Sequence, residues 1–232
     1  MNIAIIPARS GSKGLPNKNI RLLEGIPLLA HSVLCAKQAG LFNEIFVSTD
    51  SHQYADIAVE YGGSVPFLRE ASLAGDTASM WDVVRDVLSK YETIGKSFDS
   101  VTLLQPTSPL RIPDDIVEAH KIYKEKNADS VISVCIADHA PYLCNVLPES
   151  GSMEGFISYD KLDKQRQQLP DYYRINGALY LIRCSYLAKT MDIYGAGSYA
   201  YIMPKERSVD IDDELDFITA ETIYNRCKVK SV

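Results

Sequence analysis

Apolar residues along this chain come in short, nearly unbroken runs, at residues 3–8, 44–48, 101–104 and 131–135. Runs of this kind suit strands buried on both faces, as in a parallel sheet. Segments of helix length separate them. Residues 27–39 start at Pro27, which a first helical turn tolerates, and stop at Gly40. Ser51 can cap a helix reaching about Tyr61, with Gly62 and Gly63 ending it. Residues 77–91 and 113–126 supply two more. Alternating strand and helix predicts an α/β fold, doubly wound around a mostly parallel central sheet.

The alternation breaks near Asp138. From there to about residue 175 the chain carries Pro141, Pro148, Gly151, Gly155, Pro170 and a polar run, "DKLDKQRQQLPDYYR". This reads as an arm inserted into one domain that spans residues 1–232. Strand patterning resumes at 178–183 and 199–203, and residues 213–228 form a closing helix.

Composition narrows the function. The length of 232 residues suits one domain with an insertion, and the net charge is −6. That balance argues against a general nucleic-acid or membrane-surface binder. Yet residues 1–23 hold Arg9, Lys13, Lys18 and Arg21 with no Asp or Glu, which suggests a small anionic ligand unless the four merely share a solvated loop. The five cysteines form no C-x-x-C pair and read as reduced thiols. The first apolar run is too short for a signal peptide, and nothing approaches a membrane span, so the expectation is a cytoplasmic protein.

Ligands of open α/β sheets sit at the carboxyl ends of the strands, and four stretches qualify. "IPARSGSKGLPNKN" follows the first run. No G-x-x-x-x-G-K-[ST] can be read through it, so it is not the P-loop of nucleotide hydrolases. Gly11 and Gly14 allow close backbone approach, Arg9 offers a bidentate fork and Lys13 a point charge, a set suited to a triphosphate. "LLQPTSPLR" presents Gln105, Thr107 and Ser108, of which Gln105 could read a base or a sugar; the alternative is a plain turn. "RQQLPDYYRINGALYL" puts Arg166 and Arg174 beside Tyr172 and Tyr173, suiting an acidic small molecule or simply a solvated arm. In "SVDIDDELDF", Asp210 and Asp212 lie two apart and project to one side of an extended segment. Two adjacent carboxylates invite Mg²⁺, although an Asp before "ELDF" could also be a helix cap.

These stretches, with "LREASLAGDTAS" and "DIDDELD", resemble the motifs of the acylneuraminate cytidylyltransferase (CMP-sialic acid synthetase) family, in order and over nearly the whole chain. The resemblance implies a Rossmann-like nucleotide-diphospho-sugar transferase fold with a dimerisation arm, and transfer of CMP from CTP to a nine-carbon acidic sugar with release of pyrophosphate. It implies Mg²⁺ (with Mn²⁺ a possible substitute) on Asp210 and Asp212, with Arg9 and Lys13 joining them as catalytic residues. CTP is expected against Arg9, Ser10, Gly11, Ser12, Lys13, Asn19, Arg69, Asp76, Thr77 and Ser79. The sugar is expected near Gln105, Thr107, Ser108, Arg166, Arg174 and Tyr180, with one of the two arm arginines, Arg166 or Arg174, meeting its carboxylate from the neighbouring subunit. Ile193 and Tyr194 replace an aromatic pair and Leu143 a lysine found in several members, which places legionaminic acid beside N-acetylneuraminic acid as acceptor. None of the four histidines falls in a motif, so no histidine base is expected. The competing readings are a cytidylyltransferase for another acidic ulosonate, such as an eight-carbon sugar, and a non-catalytic sugar-nucleotide binder.

Overall fold

The computed structural model describes residues 1–11, 14–75, 79–157, 170–190 and 192–229. Strand β1 (Asn2–Pro7) is buried on both faces, as its unbroken apolar run requires, with Ile3, Ala4, Ile5 and Ile6 all fully inaccessible. After it come two-residue strands β2 (Leu22–Leu23) and β3 (Ile26–Pro27), then helix α1 (Leu28–Ala39), strand β4 (Glu44–Ser48) and helix α2 (His52–Glu60). Pro27 precedes α1, Gly40 ends it at φ 66°, and the Ser51 hydroxyl caps α2 by accepting from the Tyr54 amide. Helices α3 (Ala71–Ala74) and α4 (Met80–Thr93) lead to β5 (Ser100–Leu103), α5 (Pro113–Glu125) and β6 (Ser130–Ile136). The chain closes with β7 (Tyr173–Arg183), α6 (Cys184–Leu187), β8 (Ser198–Ile202) and α7 (Glu214–Val229).

The main sheet has the order β4-β1-β5-β7-β6-β8. The β1–β4, β1–β5 and β6–β8 pairs are parallel, whereas β7 runs antiparallel between β5 and β6. Alternate residues of β1 serve two cores. Ala4 and Ile6 pack with Leu29 and Val33 of α1, while Ile3 and Ile5 pack with Val84, Val87 and Tyr91 of α4. A third cluster joins Leu23, Leu28 and Leu110 to Ile211, Phe217 and Ala220. It anchors α7 and the segment before it against the end of the sheet.

Two boundaries differ from the sequence expectation by three residues or more. Helix α4 begins at Met80, not residue 77, because Ser79 is its cap and accepts from the Trp81 amide. Strand β7 begins at Tyr173, five residues before the expected 178, so the end of the proposed arm is already strand. There Tyr173, Arg174 and Ile175 pair with Ile136, Cys135 and Val134. The arm is thus the connection between antiparallel neighbours, closed at its base by the Ala137 amide donating to the Tyr172 carbonyl.

Candidate active site

The loop leaving β1 is shaped by its own polar groups. Asn19, almost fully buried, donates from Nδ2 to the Arg9 carbonyl at 3.0 Å. The Ser10 amide and hydroxyl donate to the two oxygens of Asp50 at 2.8 and 2.9 Å. From the end of β4, Ser48 accepts from Arg69 Nε at its hydroxyl, 3.0 Å, and from Arg69 Nη2 at its carbonyl, 2.8 Å. Burial pulls the Arg69 guanidinium down to about 10, opposed by Asp50 and assisted by the like charge of Arg9. Two arginines held this close favour an anion between them.

The segment ahead of α7 brings in the carboxylates. Helix capping there is done by Asp213 and Asp216: the Asp216 amide donates to Asp213 Oδ1 at 3.0 Å, and Asp216 Oδ2 accepts from the Asp213 amide at 3.2 Å. Asp210 and Asp212 are therefore released from the capping role. Ile211 between them is fully buried, its amide donating to the Thr107 carbonyl at 2.8 Å. Asp210 Oδ1 is buried without a hydrogen-bond partner among the described residues. Burial pushes the Asp210 carboxyl up, and the Asp212 charge adds to this, against the Thr107 hydroxyl, Lys18 and Arg174.

One cavity of about 590 Å³ gathers these groups. Arg9, Asn19, Arg69, Gln105, Thr107, Asp210 and Asp212, all expected site residues, line it. Five further lining residues carry no assigned role: Lys18, Gly14 for its contact rather than its freedom, Met80, Pro7 and Pro106. Lys18 Nζ donates to the Ile211 carbonyl at 2.5 Å and to Asp212 Oδ1 at 3.1 Å. Its signal was present, as a cation in the acid-free first 23 residues. Gly177 is also unassigned by sequence. It sits at φ 75° in β7, and a Cβ there would lie 2.6 Å from Gln105 Oε1 and 3.2 Å from Asp210 Oδ2. The Asn-Gly inside an apolar strand was the available cue for a close approach.

Other expected residues lie elsewhere. Ser108 is not presented to the cavity; it is fully buried beneath the turn, and its hydroxyl has no partner among the described residues. Ser10 is engaged by Asp50, Ser79 caps α4, and Gly11 is exposed with open space around it. Arg174 donates to the Ser208 carbonyl at 3.0 Å and lines an adjoining hollow that shares Asp210. Tyr180 packs edge-on against Trp81, with burial pushing its phenol up to about 12. Ile193 is core, and Tyr194 and Leu143 are exposed. Ser12, Lys13, Asp76, Thr77 and Arg166 lie outside the described residues. A second hollow of about 490 Å³, between α1, α7 and the turn at 109–113, is lined largely by apolar side chains and by none of the expected site residues. No histidine lines the main cavity. His31 donates from Nε2 to the Leu23 carbonyl at 3.1 Å, and His120 pairs with the Thr102 hydroxyl at 3.0 Å.

The sequence matches the family described as Cytidylyltransferase over residues 3–224. It is 39% identical to the CMP-N,N'-diacetyllegionaminic acid synthase of Legionella pneumophila, covering 95% of each chain. It is also 39% identical to an N-acylneuraminate cytidylyltransferase of Escherichia coli, covering 97% of this chain and 52% of that one. Among solved structures, a CMP:2-keto-3-deoxy-manno-octonic acid synthetase complexed with CTP superposes with a TM-score of 0.71 at 16% identity, covering 97% of this chain and 98% of that one. That likeness concerns the fold. The family match spans both ends of the cavity, from the β1 loop to the carboxylates before α7, and the chain belongs to the cytidylyltransferase family.

Proposed function

We propose that this enzyme joins CTP to a nine-carbon acidic sugar of the sialic type, giving the CMP-sugar and pyrophosphate, with Mg²⁺ held by Asp210 and Asp212. The observation that carries this reading is the shared cavity: two carboxylates free of capping duty face the same space as Arg9, Lys18 and Arg69. A buried Asp210 oxygen without a partner fits a divalent cation, since an unpaired buried carboxylate oxygen is otherwise costly.

In this reading Arg9 and Arg69 hold the phosphates, and Lys18 offsets charge building on the departing pyrophosphate. Lys13, matched by its motif, joins them. The sugar 2-hydroxyl attacks the α-phosphorus in line; the new O–P bond forms as the α–β phosphoanhydride bond breaks, and the hydroxyl proton passes to water. When bound, Mg²⁺ supplies charge neutralisation at the phosphates. Gln105 and Thr107 orient the acceptor beside Asp210, and positioning accounts for most of the rate. Arg174 suits the sugar carboxylate.

The arm supports a homodimer. Val146 is 87% exposed, and Leu143, Leu147 and Met153 are exposed with it, an apolar patch that a second copy would cover. Two buried cysteines outside any disulfide, Cys35 and Cys135, suit a reducing cytoplasm. Full-length correspondence with the legionaminic-acid relative favours an N,N'-diacetyllegionaminic-type acceptor. Pyrophosphate release from CTP over a panel of nonulosonic acids tests the reading. Release with a nine-carbon acid supports it; release only with an eight-carbon ulosonate, or CTP binding without release, overturns it.

A further inference from the structure

The bulge in β7 is built from side chains that the reaction itself does not use. Ile132 pairs with Tyr180 and Val134 with Ile175, so Ser133 alone faces residues 176–179. Four residues opposite one cannot keep the ladder, and their polar groups are satisfied elsewhere. The Ala178 amide donates to Asn176 Oδ1 at 3.2 Å, and the Leu179 amide to the Ser133 hydroxyl at 2.8 Å. Asn176 is itself fixed by donating to the Ser208 hydroxyl at 2.9 Å. The Ala178 carbonyl accepts from Arg111 Nη1.

Arg111 is only 4% exposed and reaches in a second direction. Its Nη2 donates to the Ser32 hydroxyl at 2.7 Å, and that hydroxyl donates to the Gln105 carbonyl at 3.3 Å. One planar fork therefore ties the residue after Gly177 to the backbone of Gln105. These are the two residues whose separation sets the gap beside Asp210, because any Cβ on Gly177 would collide with Gln105 Oε1. Burying a guanidinium is expensive, and an apolar side chain would fill the same space at less cost. Only a rigid fork makes both bonds at once; a lysine would make one.

We propose that Arg111 is a positioning residue for the acceptor half of the site, acting through Gly177 and Gln105 without touching substrate. The inference rests on the proposed function in one respect, the contact between Gln105 and the sugar. Arg111→Lys keeps the charge and loses the fork. Ser32→Ala cuts the link to Gln105 alone and spares the bond to Ala178. In steady-state assays Arg111→Lys raises KM for the sugar on the order of tenfold or more, the scale of a displaced positioning group, and leaves KM for CTP unchanged. Ser32→Ala shifts the sugar KM in the same direction by less. A fall in kcat with both KM values unchanged, as loss of folded enzyme would give, overturns the proposal, and so does an unmoved sugar KM in Ser32→Ala. Hydrogen exchange on the ligand-free chain provides an arm independent of turnover. Amides of 176–179 exchange faster in Arg111→Lys while those of β1 and β4 do not, and unchanged or uniformly faster exchange overturns the proposal. Wild-type chain without CTP turnover would overturn the function reading, while this exchange arm would still judge Arg111.

Discussion

Gly14 lies against the backbone of Asp212: a Cβ added at Gly14 would stand 2.5 Å from the Asp212 carbonyl oxygen. The loop after β1 and the carboxylate segment before α7 are thus in direct backbone contact, though nearly two hundred residues separate them in sequence. The basic loop and the carboxylate segment keep their spacing because nothing larger than a hydrogen stands between them. Gly14→Ala must move one of the two. Its expected effect is a loss of about tenfold or more in kcat/KM for CTP, which equals roughly 1.4 kcal/mol of transition-state stabilisation, in a chain that still melts cooperatively. Kinetics beside a thermal melt check this, and unchanged kcat/KM contradicts it.

Lys18 bridges the Ile211 carbonyl and Asp212, and its side chain is only 12% exposed. A cation so placed can follow charge from the carboxylate to a departing pyrophosphate. Lys18→Met is expected to lower kcat on the order of 10², about 3 kcal/mol, as for loss of other groups that act mainly in the transition state. A kcat within threefold of wild type, measured at saturating CTP, sugar and Mg²⁺, would remove Lys18 from the reaction.

Asp115 secures the approach to the carboxylate segment. Its side chain is fully buried and accepts from Arg207 Nε at 3.0 Å, Arg207 Nη2 at 2.8 Å, the Tyr201 hydroxyl at 2.8 Å and the Ile112 amide at 2.9 Å. Removing one partner of such a network strands the others. Asp115→Ala should cost about 3–5 kcal/mol and lower the melting temperature by roughly 10 °C. Differential scanning calorimetry reads this directly, and a drop of only a degree or two would show the network to be dispensable.

His120 makes the fold acid-sensitive. Burial, with Lys124 adding to it, pulls the imidazole down to about 4 from 6.5. A depressed folded value favours the neutral form in the fold. That contribution is fully present above the unfolded value of 6.5 and is lost as pH falls toward about 4. A gap of this size is worth on the order of 3 kcal/mol. His120→Gln should flatten the loss of stability across this window in urea melts at stepped pH; an equally steep loss in the variant would assign it to other groups.

Much of the fold was legible because the pattern there has one physical cause. β1 is apolar without interruption since it is covered on both faces, and Pro27, Gly40 and Ser51 mark helix ends by backbone chemistry alone. The start of β7 was hidden because Arg174, Asn176 and Gly177 interrupt its apolar pattern, and they do so where the strand bulges beside the cavity. The burial of Ser108 is hidden for a related reason. A loop's sequence shows which residues are polar but not which turn inward. In the sequence Lys18 shows only as charge, since its contact with Asp212 joins residues nearly two hundred apart. That Asp210 and Asp212 face one cavity is legible because a two-residue period survives in an extended segment, and the caps there are Asp213 and Asp216.

In the proposed reaction the cytidylyl group of CTP, through its α-phosphorus, is transferred to a sugar hydroxyl. ³¹P NMR of the enzyme with CTP, Mg²⁺ and a nine-carbon nonulosonic acid tests it most directly. The expected result is loss of the CTP β-phosphate resonance with matched growth of one phosphodiester and one pyrophosphate signal, abolished in Asp212→Asn. Release of inorganic phosphate and CDP, or CTP left intact with the acid present, would contradict the account.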